Sequence, residues 1–408
     1  MKRLLWIGSL ESEEEFKWKA NKGFNLASAQ VSQENILLGL EDITGLTFDS
    51  INGSVLPPFP LYEDRIVEEV RWAHKENASN VSVGYRNEKF INRLTCKHSM
   101  IQAARKWVKE KYNNEELIVF AYSMRTPVMA TACEIKKMIP SAKIFLIITD
   151  LPQFMDLKQS KTKAFLKRLD WLQIRQMQKQ FDGFILYSSK MAQFLQLPDD
   201  KWILMEGLYD PSEYPCLLQR TNSHSKAPKA IMYSGKLDLQ YGLDLLINAF
   251  MKIDNAEYEL WFTGGGNAED FIKESSLKDP RIKFYGFLPS RQDVINKQME
   301  ASLLVNMRLP SEAASAFCFP SKLFEYMATS IPVLSFKLEG IPQEYYNHLV
   351  IIEDETIESL IDSINKVLSM DNEFRLELGL SARDFILTNK NKDIQCGRIW
   401  DFCKERLR

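Results

Sequence analysis

The chain has 408 residues, of which 45% are hydrophobic, and this length is enough for two domains of about 200 residues each. Its 52 basic and 54 acidic residues leave a formal net charge of -2, which excludes a bulk electrostatic attraction to nucleic acid. The 6 cysteines and 4 histidines are scattered without a CxxC pair or another metal-ligand spacing, so the sequence predicts neither a disulfide framework nor a metal site.

The beginning of the chain resembles a signal peptide only briefly. An apolar run, 4–7, follows Lys2 and Arg3, but Glu11 and the acidic residues 13–15 come directly after it. No segment reaches the roughly 20 apolar residues needed to cross a bilayer. We therefore expect a buried first strand and a cytoplasmic protein, which could lie peripherally on the inner face of the membrane.

The first half of the chain alternates short apolar strands with helical patterns. Continuous apolar strands between helices are typical of a parallel sheet that is covered on both faces. The predicted strands are 4–8, 117–121, 143–148, 184–187 and 202–204, and the predicted helices are 28–40, 101–111 and 128–138.

The same alternation begins again after a polar, proline-containing stretch. We therefore expect an α/β protein of two doubly wound Rossmann-like domains that face a central cleft. The predicted boundaries are a first domain at 1–210, a linker at 211–228, a second domain at 229–390, and a C-terminal helix at 391–408 that could cross back to the first domain. The second domain has predicted strands at 230–233, 258–262, 282–285, 301–305 and 332–334, and predicted helices at 243–251, 267–274, 320–329 and 357–368.

One helix of the second domain carries a cation and a carboxylate three residues apart. Lys322 lies at its beginning, where free N–H groups and the helix dipole favour an anion, and Glu325 lies one turn deeper on the same face. A nucleoside diphosphate offers the matching groups, because it has a diphosphate and two ribose hydroxyls. The alternative is an ordinary amphipathic helix with an incidental Lys/Glu pair.

Two further segments at predicted strand ends have phosphate-compatible residues. Ser234, Gly235 and Lys236 follow one strand, and the glycines 264–266 follow the next. Glycine lets the backbone approach a ligand and can offer N–H groups to a phosphate, while lysine supplies a positive charge. A flexible turn and a solvated lysine are the alternatives for each segment alone. Because both segments and Lys322 fall at one sheet edge, together they predict a diphosphate site.

The second domain resembles a GT-B fold glycosyltransferase of family 4, whose members move a sugar from a nucleotide donor with retention of configuration. In the first domain the resemblance is architectural only. The resemblance of the second domain is carried by YSGKL at 233–237, YGLDLL at 241–246 with Ala249 and Phe250, WFTGGG at 261–266, YGFL at 285–288 and FPSKLFEYMATSIPV at 319–333.

The resemblance implies that the first domain binds the acceptor and the second binds the nucleotide-sugar donor, and it implies a role for each matching residue. Lys236 and Lys322 would bind the diphosphate and Glu325 the ribose, and all three count as catalytic residues. It implies metal-independent transfer with no resident cofactor, and a nucleotide-sugar, expected to be a UDP-sugar, as co-substrate. Further donor contacts are implied at Ser234, Gly235, Gly264, Gly265, Phe287, Leu288, Phe319, Pro320 and Ser321.

Two positions depart from the family pattern. Tyr241 stands where a lysine is usual, so that a phosphate cation is missing or is supplied by Lys322. Phe317 stands where a glutamate usually touches the transferred sugar, which leaves the identity of that sugar open. Glu312 in the same loop could replace this acid, and a solvated loop acid is the alternative.

Candidate acceptor-binding residues follow two predicted strands of the first domain. Tyr122 and Ser123 follow one strand, and Asp150 follows the next, where it would orient an acceptor hydroxyl and act as a fourth catalytic residue. A capping role in a turn is the alternative for Asp150.

The Phe-Pro-Ser-Lys segment resembles that of transferases of bacterial surface polysaccharides, so the implied acceptor is a glycan or a lipid-linked glycan.

The segment 158–179 combines basic and apolar residues with helical spacing. Such a helix can lie on an anionic membrane surface, and the alternative is a surface helix whose apolar face is in the core.

Two other functions remain open at this point. A degenerate, non-catalytic partner subunit is one, for which Tyr241 and Phe317 are the best arguments, and a GT-B sugar-nucleotide epimerase is the other.

Overall fold

The computed structural model describes residues 1–21, 27–154, 161–211 and 229–407. The chain forms two compact units, one made of Met1–Leu208 with Lys392–Arg408 and the other of Tyr209–Asn391. The linker predicted at 211–228 lies almost entirely outside the described residues. Each unit has its own parallel sheet, and the two units are described separately.

The first unit is built on a sheet of buried strands. Its strands are β1 (Lys2–Gly8), β2 (Phe48–Asn52), β3 (Ile66–Val67), β4 (Val70–Trp72), β5 (Asn80–Ser82), β6 (Tyr85–Arg86), β7 (Glu116–Tyr122), β8 (Lys143–Ile148), β9 (Gly183–Leu186) and β10 (Trp202–Leu204). Eight of them form one sheet in the order β10-β9-β8-β7-β1-β2-β5-β4, which is parallel except at the edge strand β4. The strands β3 and β6 form a separate antiparallel pair.

Helices and aromatic rings cover and fill this sheet. The first six helices are α1 (Glu13–Asn21), α2 (Ala27–Thr44), α3 (Asn92–Lys111), α4 (Thr126–Met138), α5 (Lys161–Gln178) and α6 (Ser189–Leu195). The ring of Trp6 lies 5.9 Å from that of Phe48 and 6.4 Å from that of Phe120, measured between centroids. All three side chains are fully buried, and this removal of apolar area from water stabilises the sheet.

The second unit has a sheet of six parallel strands. They are β11 (Lys229–Lys236), β12 (Tyr258–Gly265), β13 (Ile282–Phe284), β14 (Leu303–Asn306), β15 (Val333–Phe336) and β16 (Val350–Ile352). Their order is β13-β12-β11-β14-β15-β16, so the chain adds strands on one side of β11 and then returns to its other side with β14. The carboxyl ends of β11 and β14 therefore flank a crevice of the kind in which open α/β sheets bind ligands.

Helices connect these strands, and a last helix returns to the first unit. The connecting helices are α7 (Leu243–Met251), α8 (Glu269–Lys278), α9 (Arg291–Glu300), α10 (Lys322–Ala328), α11 (Ile357–Leu368) and α12 (Asn372–Asn389), and the last is α13 (Lys392–Leu407). A side chain at Gly39 of α2 would lie 2.5 Å from the Sγ atom of Cys396 of α13, so glycine permits close packing of these helices. Among the described helices, none has the length and apolar character that a membrane span requires.

The predicted α/β alternation is confirmed, but several element boundaries were wrong. The strand predicted at 230–233 continues to Lys236, and the one at 258–262 continues to Gly265. The reason is the parallel pairing of Gly235 with Gly264 and of Lys236 with Gly265, which extends the sheet through residues that usually mark turns. The glycines 264 and 265 are therefore strand residues rather than loop residues.

Candidate functional site

The helix α10 holds its first residue at the carboxyl edge of the second sheet. It begins at Lys322, after the buried Pro320 and the exposed Ser321. Leu323 and Met327 of this helix are fully buried in the core of the second unit. Because these apolar side chains fix the helix, Lys322 is held against the end of β11.

The side chain of Lys322 lies across the end of β11. Its Nζ atom donates a hydrogen bond of 2.8 Å to the Oη atom of Tyr233 and lies 4.0 Å from the centroid of that ring. A Cβ atom at Gly235 would be 2.6 Å from the Cε atom of Lys322, and Gly235 has a φ of +111°. Only glycine leaves room for the lysine here, and it also adopts this backbone conformation without strain.

The surroundings of Lys322 weaken its positive charge. Burial lowers its pKa to about 7, and the nearby Arg308 adds to the shift while Glu325 opposes it. A phosphate group beside the ammonium would restore the charged form through a charge-assisted hydrogen bond. The arrangement is therefore suited to an anionic ligand.

Lys236 presents a second cation at the end of the same strand. Its side chain is 64% exposed and forms an ion pair of 2.8 Å with Asp238, and this hydrogen bond raises the pKa of Lys236. Burial alone would raise the pKa of Asp238, but the hydrogen bond from Lys236 and those from the Gln240 N–H and the Asn267 amide lower it. Lys236 is therefore charged and accessible to a ligand.

Glu325 is fixed by a residue that the sequence analysis missed. The fully buried amide of Gln298, on α9, donates to the Glu325 carboxylate and also donates a 2.9 Å bond to Ser234 Oγ. The Nε atom of Arg291 lies 3.5 Å from the same carboxylate. Glu325 keeps an exposed side-chain fraction of 19%, so it is oriented but can still accept hydrogen bonds from a ligand.

Ser234, predicted to contact the donor, is buried instead. Its side chain is 3% exposed, and its N–H donates a 2.9 Å bond to the hydroxyl of Tyr326. Its hydroxyl accepts from Gln298 and lies 3.1 Å from the same tyrosine oxygen. Because these bonds join β11, α9 and α10, we assign Ser234 to positioning these elements rather than to ligand contact.

The glycine run serves packing more than phosphate binding. The N–H of Gly264 donates a 2.8 Å bond to Gly286 O, and that of Gly266 donates a 3.0 Å bond to Glu269 Oε1. A side chain at Gly264 would lie 1.9 Å from Gly235 O, so glycine is required where β11 and β12 approach. The expectation that these N–H groups face a phosphate is corrected for Gly264 and Gly266, because protein oxygens already occupy them.

An exposed aromatic ring lies against Gly265, the second glycine of this run. Phe287 is 81% exposed, and a Cβ atom at Gly265 would lie 2.3 Å from its ring. Leu288 beside it is partly buried. An exposed ring next to a side-chain-free strand end is available for stacking with a planar group such as a base.

Phe319 belongs to the core rather than to the ligand surface. It is 6% exposed, and its ring centroid lies 5.0 Å from that of Phe324 and 5.1 Å from that of Tyr345. Phe319 and the buried Pro320 thus anchor the start of α10, which corrects their predicted donor contacts. Phe317, at the position of the usual sugar-binding acid, ends a 3₁₀ turn, Ala313–Phe317, that Glu312 precedes.

A further cation, Arg308, was also missed. It lies two residues after β14, and its guanidinium carbon is 5.3 Å from the centroid of the Tyr241 ring. The available signal was a basic residue shortly after an apolar strand, but only the strand order places it across the crevice from Lys236. The crevice is therefore more basic than the sequence analysis predicted.

The first unit brings hydroxyl groups together at the carboxyl edge of its own sheet. Tyr122 ends β7, and Tyr187 follows β9 directly, with its hydroxyl 2.7 Å from Ser32 Oγ. Burial raises the pKa of Tyr122 to about 12, with a smaller contribution from the negative charge of Asp150. Asp150 is exposed, and Ser123 is partly buried. Tyr187 and Ser32 were not predicted, because their proximity depends on the order of the strands.

The helix α5 exposes its apolar side chains. Phe165 is 62% exposed, Leu166 50%, Leu169 49% and Leu172 60%. The predicted alternative, in which this face is in the core, is therefore wrong for these four residues. Residues 158–160 of the predicted basic segment lie outside the described residues.

Comparison with known proteins supports the assignment of the fold. Residues 218–385 match the family model described as Glycosyl transferases group 1. No curated protein sequence matches the chain significantly. A glycosyltransferase from Rickettsia africae ESF-5 is 16% identical with a TM-score of 0.65, and 100% of this chain and 99% of that one are covered.

Two other solved structures have more specific descriptions. The lipopolysaccharide outer core galactosyltransferase WaaB is 14% identical with a TM-score of 0.63, and 100% of each chain is covered. Sucrose-phosphate synthase from Thermosynechococcus elongatus is 12% identical with a TM-score of 0.65, and 99% of this chain and 98% of that one are covered. At these identities the likeness establishes the fold alone. The chain therefore has the GT-B fold, and the match to the glycosyl transferases group 1 model covers most of its second unit.

Proposed function

We propose that the chain is a retaining glycosyltransferase of family 4. It would move a sugar from a nucleoside diphosphate to a glycan or lipid-linked acceptor in bacterial surface polysaccharide synthesis. The observation that carries the proposal is the position of Lys322, whose ammonium lies across Gly235 at the end of β11, with Glu325 one turn deeper in the same helix. A diphosphate and a ribose have the charges and hydroxyls that these two side chains match.

In this proposal the donor is held by charge, hydrogen bonds and stacking. Lys322 and Lys236 bind the diphosphate, and Glu325, oriented by Gln298, accepts hydrogen bonds from the ribose hydroxyls. The base lies against the exposed ring of Phe287. UDP is the expected nucleotide, and the nucleotide-sugar is a co-substrate rather than a resident cofactor.

The reaction then needs electrostatic stabilisation more than covalent chemistry. The bond between the anomeric carbon and the diphosphate oxygen breaks, and its electron pair goes to the diphosphate. The acceptor oxygen bonds to the same face of that carbon, and its proton passes to a phosphate oxygen. The two lysines stabilise the leaving diphosphate in this metal-independent mechanism.

The first unit would bind the acceptor. Asp150 and the hydroxyls of Tyr122 and Tyr187 lie at the carboxyl edge of its sheet, where hydrogen-bonding groups can orient an acceptor hydroxyl. The helix α5 has an exposed apolar face, bears the exposed Arg168 and is followed by the exposed Lys179, and this combination fits an anionic membrane surface. A peripheral position on the inner face of the membrane would suit a lipid-linked acceptor.

The test combines a search for the donor with two pairs of variants. A thermal-shift panel of nucleoside diphosphates and their sugars identifies the stabilising donor by mass action, and transfer is then measured with that donor. We expect Lys322→Ala and Glu325→Ala, and the closer matches Lys322→Met and Glu325→Gln, to lower turnover at least about tenfold while the fold survives.

Near-normal turnover in both Lys322 and Glu325 variants would contradict the proposal. Product analysis separates the alternative functions, because an epimerase would return an altered donor and a non-catalytic partner would bind the donor without turnover. Transfer with inversion of the anomeric configuration would exclude the retaining mechanism.

A further inference from the structure

The position at which the family pattern has a lysine is occupied by an aromatic ring with two cations near it. The Nζ atom of Lys236 lies 5.9 Å from the centroid of the Tyr241 ring, and the guanidinium carbon of Arg308 lies 5.3 Å from it. Lys236 comes from β11 and Arg308 from the segment after β14, which are the two strands that flank the crevice. The ring of Tyr241 therefore supports a cation that comes from the other side of the crevice.

Arg308 is close enough for its charge to affect the pKa values of the other two cations, Lys322 and Lys236. Its charge contributes to the lowered pKa of Lys322, although burial is the larger cause. The charge of Arg308 also acts to lower the pKa of Lys236. The hydrogen bond to Asp238 has the larger effect, so the pKa of Lys236 is raised overall. Three positive charges thus converge at the ends of two adjacent strands, where a doubly charged group would reduce their mutual repulsion.

The local packing holds this arrangement in place. Leu309, the residue after Arg308, lies against Gly242, where a Cβ atom would be 2.6 Å from the leucine Cδ2 atom. Gly242 directly follows Tyr241 and has a φ of +82°. The segment that carries Arg308 is therefore fixed against the turn that carries Tyr241, because a larger residue at 242 would separate them.

We propose that Arg308 is a third diphosphate-binding cation beside Lys236 and Lys322, in place of the lysine that is absent at position 241, and that Tyr241 supports its guanidinium group. This inference rests on the proposed nucleoside diphosphate site. Arginine suits the role because its planar guanidinium can hold two phosphate oxygens and can stack on an aromatic ring. Lysine at position 241 would reach the same place from the turn that follows β11.

The test measures affinity for UDP, GDP and ADP, and for the corresponding nucleosides, by titration calorimetry of the full chain. We expect Arg308→Gln to weaken binding of the preferred diphosphate at least about tenfold and to leave nucleoside binding unchanged, because only the diphosphate contact is lost. Adding Tyr241→Lys to Arg308→Gln should raise the affinity for that diphosphate at least about threefold above that of Arg308→Gln alone. Lys252→Gln, an exposed lysine beyond the end of α7, is the control for the change in net charge.

Each other outcome has a definite meaning. Unchanged diphosphate affinity in Arg308→Gln would overturn the inference, and so would an equal loss of nucleoside affinity together with a lower melting temperature. Failure of Tyr241→Lys to restore binding would overturn the replacement of one cation by the other. If the unmodified protein binds no nucleoside diphosphate, the proposed function itself fails; if it binds one and Arg308→Gln binds it equally, only this inference fails.

Discussion

The ammonium group of Lys322 is placed where it gains from an anionic partner. Burial against Tyr233 lowers its pKa to about 7, while its hydrogen bond to the tyrosine hydroxyl, at 2.8 Å, is to a neutral group. Gly235 makes this position possible because it has no side chain. A bound phosphate would place a negative charge beside the ammonium and would raise the pKa of the lysine again.

Nucleotide affinity should therefore depend on pH through Lys322. The pKa is lower in the free protein than in the complex, so binding takes up a proton above pH 7, and affinity for UDP should fall by up to about tenfold per pH unit as pH rises. Tyr233 and Lys236 do not titrate in this range, because burial raises the pKa of the first and the hydrogen bond to Asp238 raises that of the second.

The measurement is a series of UDP titrations from pH 7.5 to 9, where a terminal phosphate, with a pKa of about 6, is already fully ionised. Lys322→Arg is the matched control, since arginine stays charged and should give a nearly flat profile. A flat profile in the unmodified protein would show that Lys322 does not bind the phosphate.

At the scale of elements, the helix α9 fixes the carboxylate of α10. Gln298 is the only one of the described α9 side chains that donates to both Glu325 and Ser234, and it is fully buried. The start of α9 is in turn fixed by a capping box between Ser290 and Asp293. A helix that looks polar and exposed in sequence thus positions the residue proposed to bind the ribose.

Replacing Gln298 should therefore affect ribose recognition more than diphosphate binding. We expect Gln298→Met to reduce the preference for UDP over 2′,3′-dideoxyuridine diphosphate at least about fivefold, because Glu325 loses its orienting hydrogen bond. Glu325→Gln should reduce the same ratio, and Gln292→Met, at a glutamine of the same helix whose amide donates to Asn296, should leave it unchanged. A normal ratio in Gln298→Met would mean that Glu325 does not need this support.

The elements that the sequence predicts correctly are those in which local pattern and burial agree. The helix α10 was expected because Leu323, Phe324 and Met327 have helical spacing, and all three are buried. The strand β2 was missed because it contains Asp49 and Asn52, which are polar and yet buried. Asp49 is satisfied by Arg3 at 2.8 Å and by the Trp107 N–H at 2.8 Å, and both partners are distant in sequence.

The same limit applies to the candidate site. Lys236, Lys322 and Glu325 were found because each lies at the end of a strand or the beginning of a helix, which sequence patterns mark. Arg308 and Gln298 were missed because their proximity to the site follows from strand order and from helix packing. Residues that act through tertiary contacts leave no local signal of their role.

At the scale of the whole molecule, the exposed apolar face of α5 is the feature from which we expect binding to a membrane surface. We expect the protein to sediment with vesicles that contain anionic lipid at low salt, and Leu169→Glu to reduce the bound fraction at least about fivefold. Leu277→Glu is the matched control, because Leu277 is 88% exposed and lies on α8 in the second unit. Equal sedimentation of both variants and the unmodified protein, or no sedimentation at all, would contradict a membrane role for α5.

The measurement that tests the central claim most directly is calorimetric titration of the unmodified chain and of Lys322→Met with UDP, GDP, ADP and the corresponding nucleosides. We predict that one diphosphate binds at least about tenfold more tightly than its nucleoside, and that Lys322→Met removes this difference while its melting temperature shows a retained fold. Failure of the unmodified chain to bind any of the three diphosphates, or an unchanged preference in Lys322→Met, would contradict a diphosphate site at the end of β11.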